Sequence, residues 1–107
     1  MSSESGFERR EEGFEAQVHL EGEQRFRLEM KRDKLFAAWA AGQMGMDDDQ
    51  SKAYQAELCK EDLKEPGDDD VVNRVMADFT AKGVDLDEDT VRQQLASCWQ
   101  DAIAADG

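Results

Sequence analysis

Five of the thirteen cations in this strongly acidic chain fall within ten residues, Arg25, Arg27, Lys31, Arg32 and Lys34. On a helix turning about 100° per residue, Arg27, Lys31 and Lys34 share one flank, while Arg25 and Arg32 border an apolar stripe of Leu28, Leu35, Phe36 and Trp39. Arg32 is thereby drawn toward the interior, where a guanidinium requires a carboxylate, and three acidic clusters can supply one: Asp47 to Asp49, Asp68 to Asp70 and Asp85 to Asp89. Two readings stay open on spacing alone. The cations form an ion-pair lattice, or some of them meet a phosphate chain while Trp39 or another ring takes a base.

The aspartates do not spell a calcium loop. Counting from Asp47, Asp68 or Asp85 puts Lys52, Asn73 or Thr90 where an EF-hand needs glycine, and Leu58, Phe79 or Ala96 where it needs a bidentate glutamate. Their simpler role is to cap helix starts and to complement the positive dipole end. His19 is the single histidine and lies far in sequence from Cys59 and Cys98, so no catalytic residues are assigned. No zinc spacing and no glycine-rich phosphate loop occur, so neither a metal site nor a required cofactor is expected. The two cysteines each sit in a helical apolar pattern and read as small core thiols rather than as a disulfide.

The elements that must position these groups are helical. Val91, Leu95, Cys98, Trp99, Ala102 and Ile103 mark one face of a carboxyl-terminal helix, with Asp87 as cap and Leu86 as staple against Val91. Val71, Val72, Val75, Met76 and Phe79 mark another, introduced by Pro66-Gly67-Asp68 and closed by Gly83, with Val84 placed to pack on Phe79. A short helix starts at the Asp47/Gln50 pair, carries Tyr54 and Leu58, and ends by Lys64 or Glu65 because Pro66 disfavours helical geometry before it. The longest runs from near Glu23 to about Met44, stops at Gly45, and carries a second strip of Phe26, Met30 and Ala37. It therefore sits between two neighbours or offers a face to a partner.

Before Glu23 the pattern is weak. Phe7, Phe14 and Val18 form a thin stripe interrupted by Gly6, Gly13 and Gly22, each glycine costing on the order of 1 kcal/mol against alanine inside a helix. Such a segment is expected to fold only against a partner. With 107 residues, 39% apolar and 36% charged, the chain is long enough for one modest core. The expectation is an all-α four-helix bundle over residues 23–107 preceded by a mobile amino-terminal segment, 1–22. A net charge of -13 repels nucleic acid and anionic membranes. No apolar run approaches the roughly 20 residues of a membrane span, and no secretory signal opens the chain, so a cytoplasmic protein without membrane insertion is expected.

Order and spacing over nearly the whole chain resemble a known family. The carriers are Arg25-Phe26-Arg27, Lys31-Arg32-Asp33-Lys34-Leu35, Trp39-Ala40-Ala41 and Gly45, then Glu65 through Val71, Ala77-Asp78, and Ala81-Lys82-Gly83-Val84. Together they are similar to the zeta subunits, regulators of the F-type ATP synthase in alphaproteobacteria. The resemblance implies a four-helix bundle, monomeric when free, whose amino-terminal segment becomes helical inside the catalytic head, among its alpha, beta and gamma subunits, and blocks ATP hydrolysis. Such a protein is peripheral to the membrane through the synthase. The spacing of Phe7, Arg10, Glu11, Phe14 and Glu15 is similar to the inhibitory segment, with Val18 as a further anchor. The resemblance also implies ADP or ATP as a regulatory ligand on the bundle, with Arg25, Arg27, Lys31, Arg32, Lys34 and Trp39 as candidates. Gln17 and Val18 stand where the family pattern favours lysine and phenylalanine, and Asp33 where it favours asparagine. The rival readings are a nucleotide-sensing helical adaptor for another cytosolic protein and, ranked below it, an acidic mimic of nucleic acid.

Overall fold

The computed structural model describes residues 22–64 and 67–106, and among them there are four helices and no strand. They are α1 (Gly22–Gln43), α2 (Asp48–Lys64), α3 (Asp69–Lys82) and α4 (Glu88–Asp106). The expected all-α four-helix bundle is the observed architecture. The proposed partner-binding residues Phe7, Arg10, Glu11, Phe14, Glu15 and Val18 lie outside the described residues, as does His19.

The chain reversals after α1 and α3 use the same device. Gly45 and Gly83 adopt φ of 75° and 77°, a left-handed geometry that costs a residue with a Cβ. Met46 then donates its amide to Ala41 O at 3.0 Å, and Val84 donates to Phe79 O at 2.9 Å. These are the Schellman bonds that satisfy the last carbonyls of α1 and α3. The starts of α2 and α4 are capped as expected: the Gln50 amide donates to Asp47 Oδ1 at 2.8 Å, Gln50 answers with its side-chain oxygen, and the Thr90 amide donates to Asp87 Oδ1 at 2.8 Å. Asp68 departs from that pattern. It stands at the start of α3 but makes no side-chain cap bond, because its carboxylate is engaged elsewhere.

The core joins Phe36, Leu58, Val71, Val72, Val75, Phe79 and Val91, with Leu95 and Cys98 at its edge. α1 packs mainly on α2 and α4 and touches α3 least, so it sits between two neighbours. Of the expected stripe, Leu28 and Phe36 are buried and Trp39 packs on the core, while Leu35 departs from it. Ala37, Ala40 and Ala41 are fully buried, whereas Leu35 is 38% exposed and Phe26 50% exposed. Small side chains let the α2 and α4 backbones come close, with Leu28 and Phe36 buried beside them and Leu35 and Phe26 turned to the rim. Trp39 lies half-buried on this core, stacked on Phe36 with centroids 5.9 Å apart and edge-on to Phe79 at 5.7 Å. Both cysteines are free thiols, Cys98 buried and Cys59 half-buried with its Sγ 3.9 Å from Met30 O. None of the described helices is long and apolar enough to cross a membrane.

Candidate functional site

The centre of the bundle's polar chemistry is an arginine-aspartate step on α1. Arg32 is 5% exposed and Asp33 fully buried, which follows from their place on the face that α1 turns to its neighbours. Arg32 donates Nε and Nη2 to Asp33 Oδ1 at 3.1 and 2.9 Å, and Nη1 to Asp68 Oδ1 at 2.9 Å. Asp62 of α2 stands 3.6 Å from Nη2, and the guanidinium lies 5.8 Å from the ring centroid of Trp99 on α4. Asp68 thus uses its carboxylate to tie the start of α3 to α1 instead of capping its own helix. The sequence argument that Arg32 is drawn inward and met by an acidic cluster holds for Asp68, while Asp33 and Asp62 are helix partners it did not single out.

Electrostatics in this cluster are set by burial. Desolvation works against the Arg32 charge, but Asp33 and Asp68 outweigh it and hold the guanidinium protonated above its usual range. Burial pushes the Asp33 carboxyl up to about 8, the neighbouring Asp62 carboxyl adds to the rise, and Arg32 acts against it. Asp33 Oδ2 is buried without a hydrogen-bond partner among the described residues.

Beside the cluster opens a cleft of about 340 Å³. Arg25, Arg32 and Arg92 supply its cationic side, Glu29 and Asp68 its acidic side, and Trp99 packs with Leu95 and Ala96 as the apolar wall. Arg92 is held at 2.7 Å by Glu88 and at 3.0 Å by Asp69. Of the six residues proposed for nucleotide, the fold brings Arg25 and Arg32 to this cleft. Arg27, half-buried Lys31 and exposed Lys34 do not line it, and Trp39 is engaged in the core. Sequence reading missed Arg92 and Glu29 as lining residues. The available signal was the spacing of Arg92, Leu95, Ala96 and Trp99, one turn apart along α4, but nothing in the sequence says which face of α1 that row meets.

A second arginine centre holds α2 to α3. Arg74 donates to Asp78 at 2.8 Å and to Glu57 at 2.7 Å, approaches Glu61 at 3.5 Å, and lies 5.6 Å from the centroid of the Tyr54 ring. The Tyr54 hydroxyl donates to Asp78 at 2.7 Å, and burial together with that carboxylate pushes its ionisation well above the ordinary range. Among the described residues no group of three or more histidine, cysteine or carboxylate side chains is arranged to hold a metal ion.

Comparison with known families places the chain. The family model described as ATPase inhibitor subunit zeta matches residues 4–105, and the chain belongs to that family. No curated protein matches it.

Proposed function

We propose that this member of the zeta family restrains ATP hydrolysis by an F-type ATP synthase by inserting its amino-terminal segment into the catalytic head, with the bundle as holder. The observation that carries the reading is the extent of the family match, which begins at residue 4 and so takes in the segment as well as the four helices. Two physical arguments support it. Among the described residues the buried core begins at Leu28, and the stripe of Phe7, Phe14 and Val18 has too little apolar area to offset its glycines unless another surface covers it. Arg10, Glu11 and Glu15 supply polar contacts in this reading. Gly13, Gly22, Gln17 and Val18 weaken it, because ordering a loose helix consumes several kcal/mol of gross interaction energy. Deleting residues 2–18 tests the proposal: the truncated chain should melt as the full chain does and lose inhibition in an ATPase assay with purified synthase head. Inhibition undiminished by the deletion would overturn it.

The nucleotide reading attaches to the cleft. What supports it is the convergence of Arg25, Arg32 and Arg92 beside the Trp99 ring, a combination suited to phosphate and base. Glu29, Asp68, Asp69 and Glu88 compete for the same cations, so affinity is expected to be weak. Titration with ADP should move amide resonances of Arg25, Arg32, Arg92 and Trp99 together. Spectra that stay unchanged at millimolar ADP exclude the site.

A further inference from the structure

The carboxyl of Asp33 is fully buried, and neither the inhibitory nor the nucleotide reading uses it. Its Oδ1 takes two guanidinium bonds from Arg32, while Oδ2 has no donor among the described residues. The group it meets is the carboxylate of Asp62, itself only 8% exposed. From α1 the charged neighbour of this pair is Arg32; from α2 comes the Cys59 thiol, which also feels Lys34; from the turn before α3, Asp68 reaches the same guanidinium. From α4 comes the uncharged Trp99 ring over Arg32, with Arg92 across the cleft held by Asp69 and Glu88. One guanidinium thus serves three carboxylates, two of them out of water. A second negative charge in that space would have to share the one guanidinium, whose Nη2 already lies 2.9 Å from Asp33 Oδ1 and 3.6 Å from Asp62 Oδ2, and Asp33 Oδ2 is left without a donor among the described residues. A single proton on Oδ2, donated to Asp62, removes the surplus charge and satisfies both atoms.

We propose that Asp33 and Asp62 share one proton near neutral pH, and that this proton is a pH-sensitive latch between α1 and α2. The balance is simple: around neutral pH the pair is a carboxylic acid hydrogen-bonded to a carboxylate, and on the alkaline side one proton passes to solvent and leaves two carboxylates. Burial holds the folded Asp33 group up at about 8 against an ordinary value of 3.8. The folded chain therefore keeps a proton that the unfolded chain has lost. Stability from the latch is complete below the ordinary carboxylate range and is lost as pH rises through about 8, by up to about tenfold in the folding equilibrium per pH unit. Asp87 runs the other way. Its bonds to Thr90 lower its ionisation, so its contribution appears as pH rises and is lost in acid. Asp62 sits in the last turn of α2, which makes that turn the part that yields when the latch is deprotonated.

The substitution Asp33→Asn copies the protonated acid in shape, with an N–H where the acid carries its O–H. The test is carbon-detected NMR titration of the carboxyl groups in the full chain, paired with denaturant unfolding of the wild type and of Asp33→Asn at about pH 6 and pH 9. The Asp33 carboxyl should titrate near 8, and the wild-type folding constant should fall relative to Asp33→Asn by about a hundredfold between those pH values. An Asp33 that titrates in the ordinary carboxylate range, or two proteins with parallel pH profiles, would overturn the latch. Asp62→Asn gives an independent reading: removal of the second carboxylate should lower the Asp33 titration while burial still holds it above the ordinary range, and an Asp33 titration unmoved by it would also overturn the proposal.

Discussion

Arg32 and Arg74 are each surrounded by three carboxylates and each lie close to an aromatic ring, at 5.8 and 5.6 Å from its centroid. Their surroundings differ in access to water. The Arg32 side chain is 6% exposed with Asp33 at 0% and Asp62 at 8%, whereas Arg74 is 29% exposed with Glu57 at 56% and Asp78 at 30%. Around Arg74 the spare carboxylate lone pairs are hydrated, so the excess negative charge costs little. Around Arg32 the excess is trapped and leaves Asp33 Oδ2 without a donor. The same set of side chains is an ordinary staple between α2 and α3 in one place and a titrating centre in the other. Burial makes the difference, because desolvation penalises a second charge that solvent would otherwise absorb.

That contrast can be broken by substitution. Arg32→Ala should be the most damaging change, destabilising the fold by roughly 3–5 kcal/mol in denaturant unfolding, since it strands Asp33, Asp62 and Asp68 around an empty site. Part of that loss should be recovered in acid, where the stranded carboxylates take up protons. Arg74→Ala should cost about 1 kcal/mol, as expected of a largely hydrated ion pair. Equal losses at the two positions would remove the distinction between the two centres. Salt sharpens it with the smallest effect: raising ionic strength to about 1 M shortens the screening length to about 3 Å. The Arg74 contribution should then shrink by roughly a few tenths of a kcal/mol, while that of Arg32 stays put.

Much of the architecture was legible from the residues alone. The helix ends were written in residues whose chemistry is local: Gly45 and Gly83 reverse the chain, Asp47 and Asp87 cap, and each makes its bond within a few residues. Asp68 shows the limit of that logic. Its position says cap, yet its carboxylate goes to Arg32, thirty-six residues earlier in the chain, because a buried guanidinium holds a carboxylate more strongly than an exposed amide that water can satisfy. The same limit explains Leu35 and Trp39. The stripe through Leu28, Phe36 and Trp39 does face the core, but the tight contacts of α1 added Ala37, Ala40 and Ala41 to it, so Leu35 stayed at the rim and Trp39 packed on the core rather than lining the cleft.

By itself the sequence determined four helices, their stops, their apolar faces to within a rotation, and an arginine that had to find carboxylates inside the bundle. Those features rest on bonds and periodicities within one or two turns, which do not depend on what packs opposite. Tertiary structure alone decided that Arg92 and Trp99 of α4 meet Arg25 and Arg32 of α1 around one cleft, and that the second oxygen of Asp33 is enclosed without a donor. Both are properties of how helices rotate and close on one another, and a charge acquires its energy from that enclosure rather than from its neighbours along the chain.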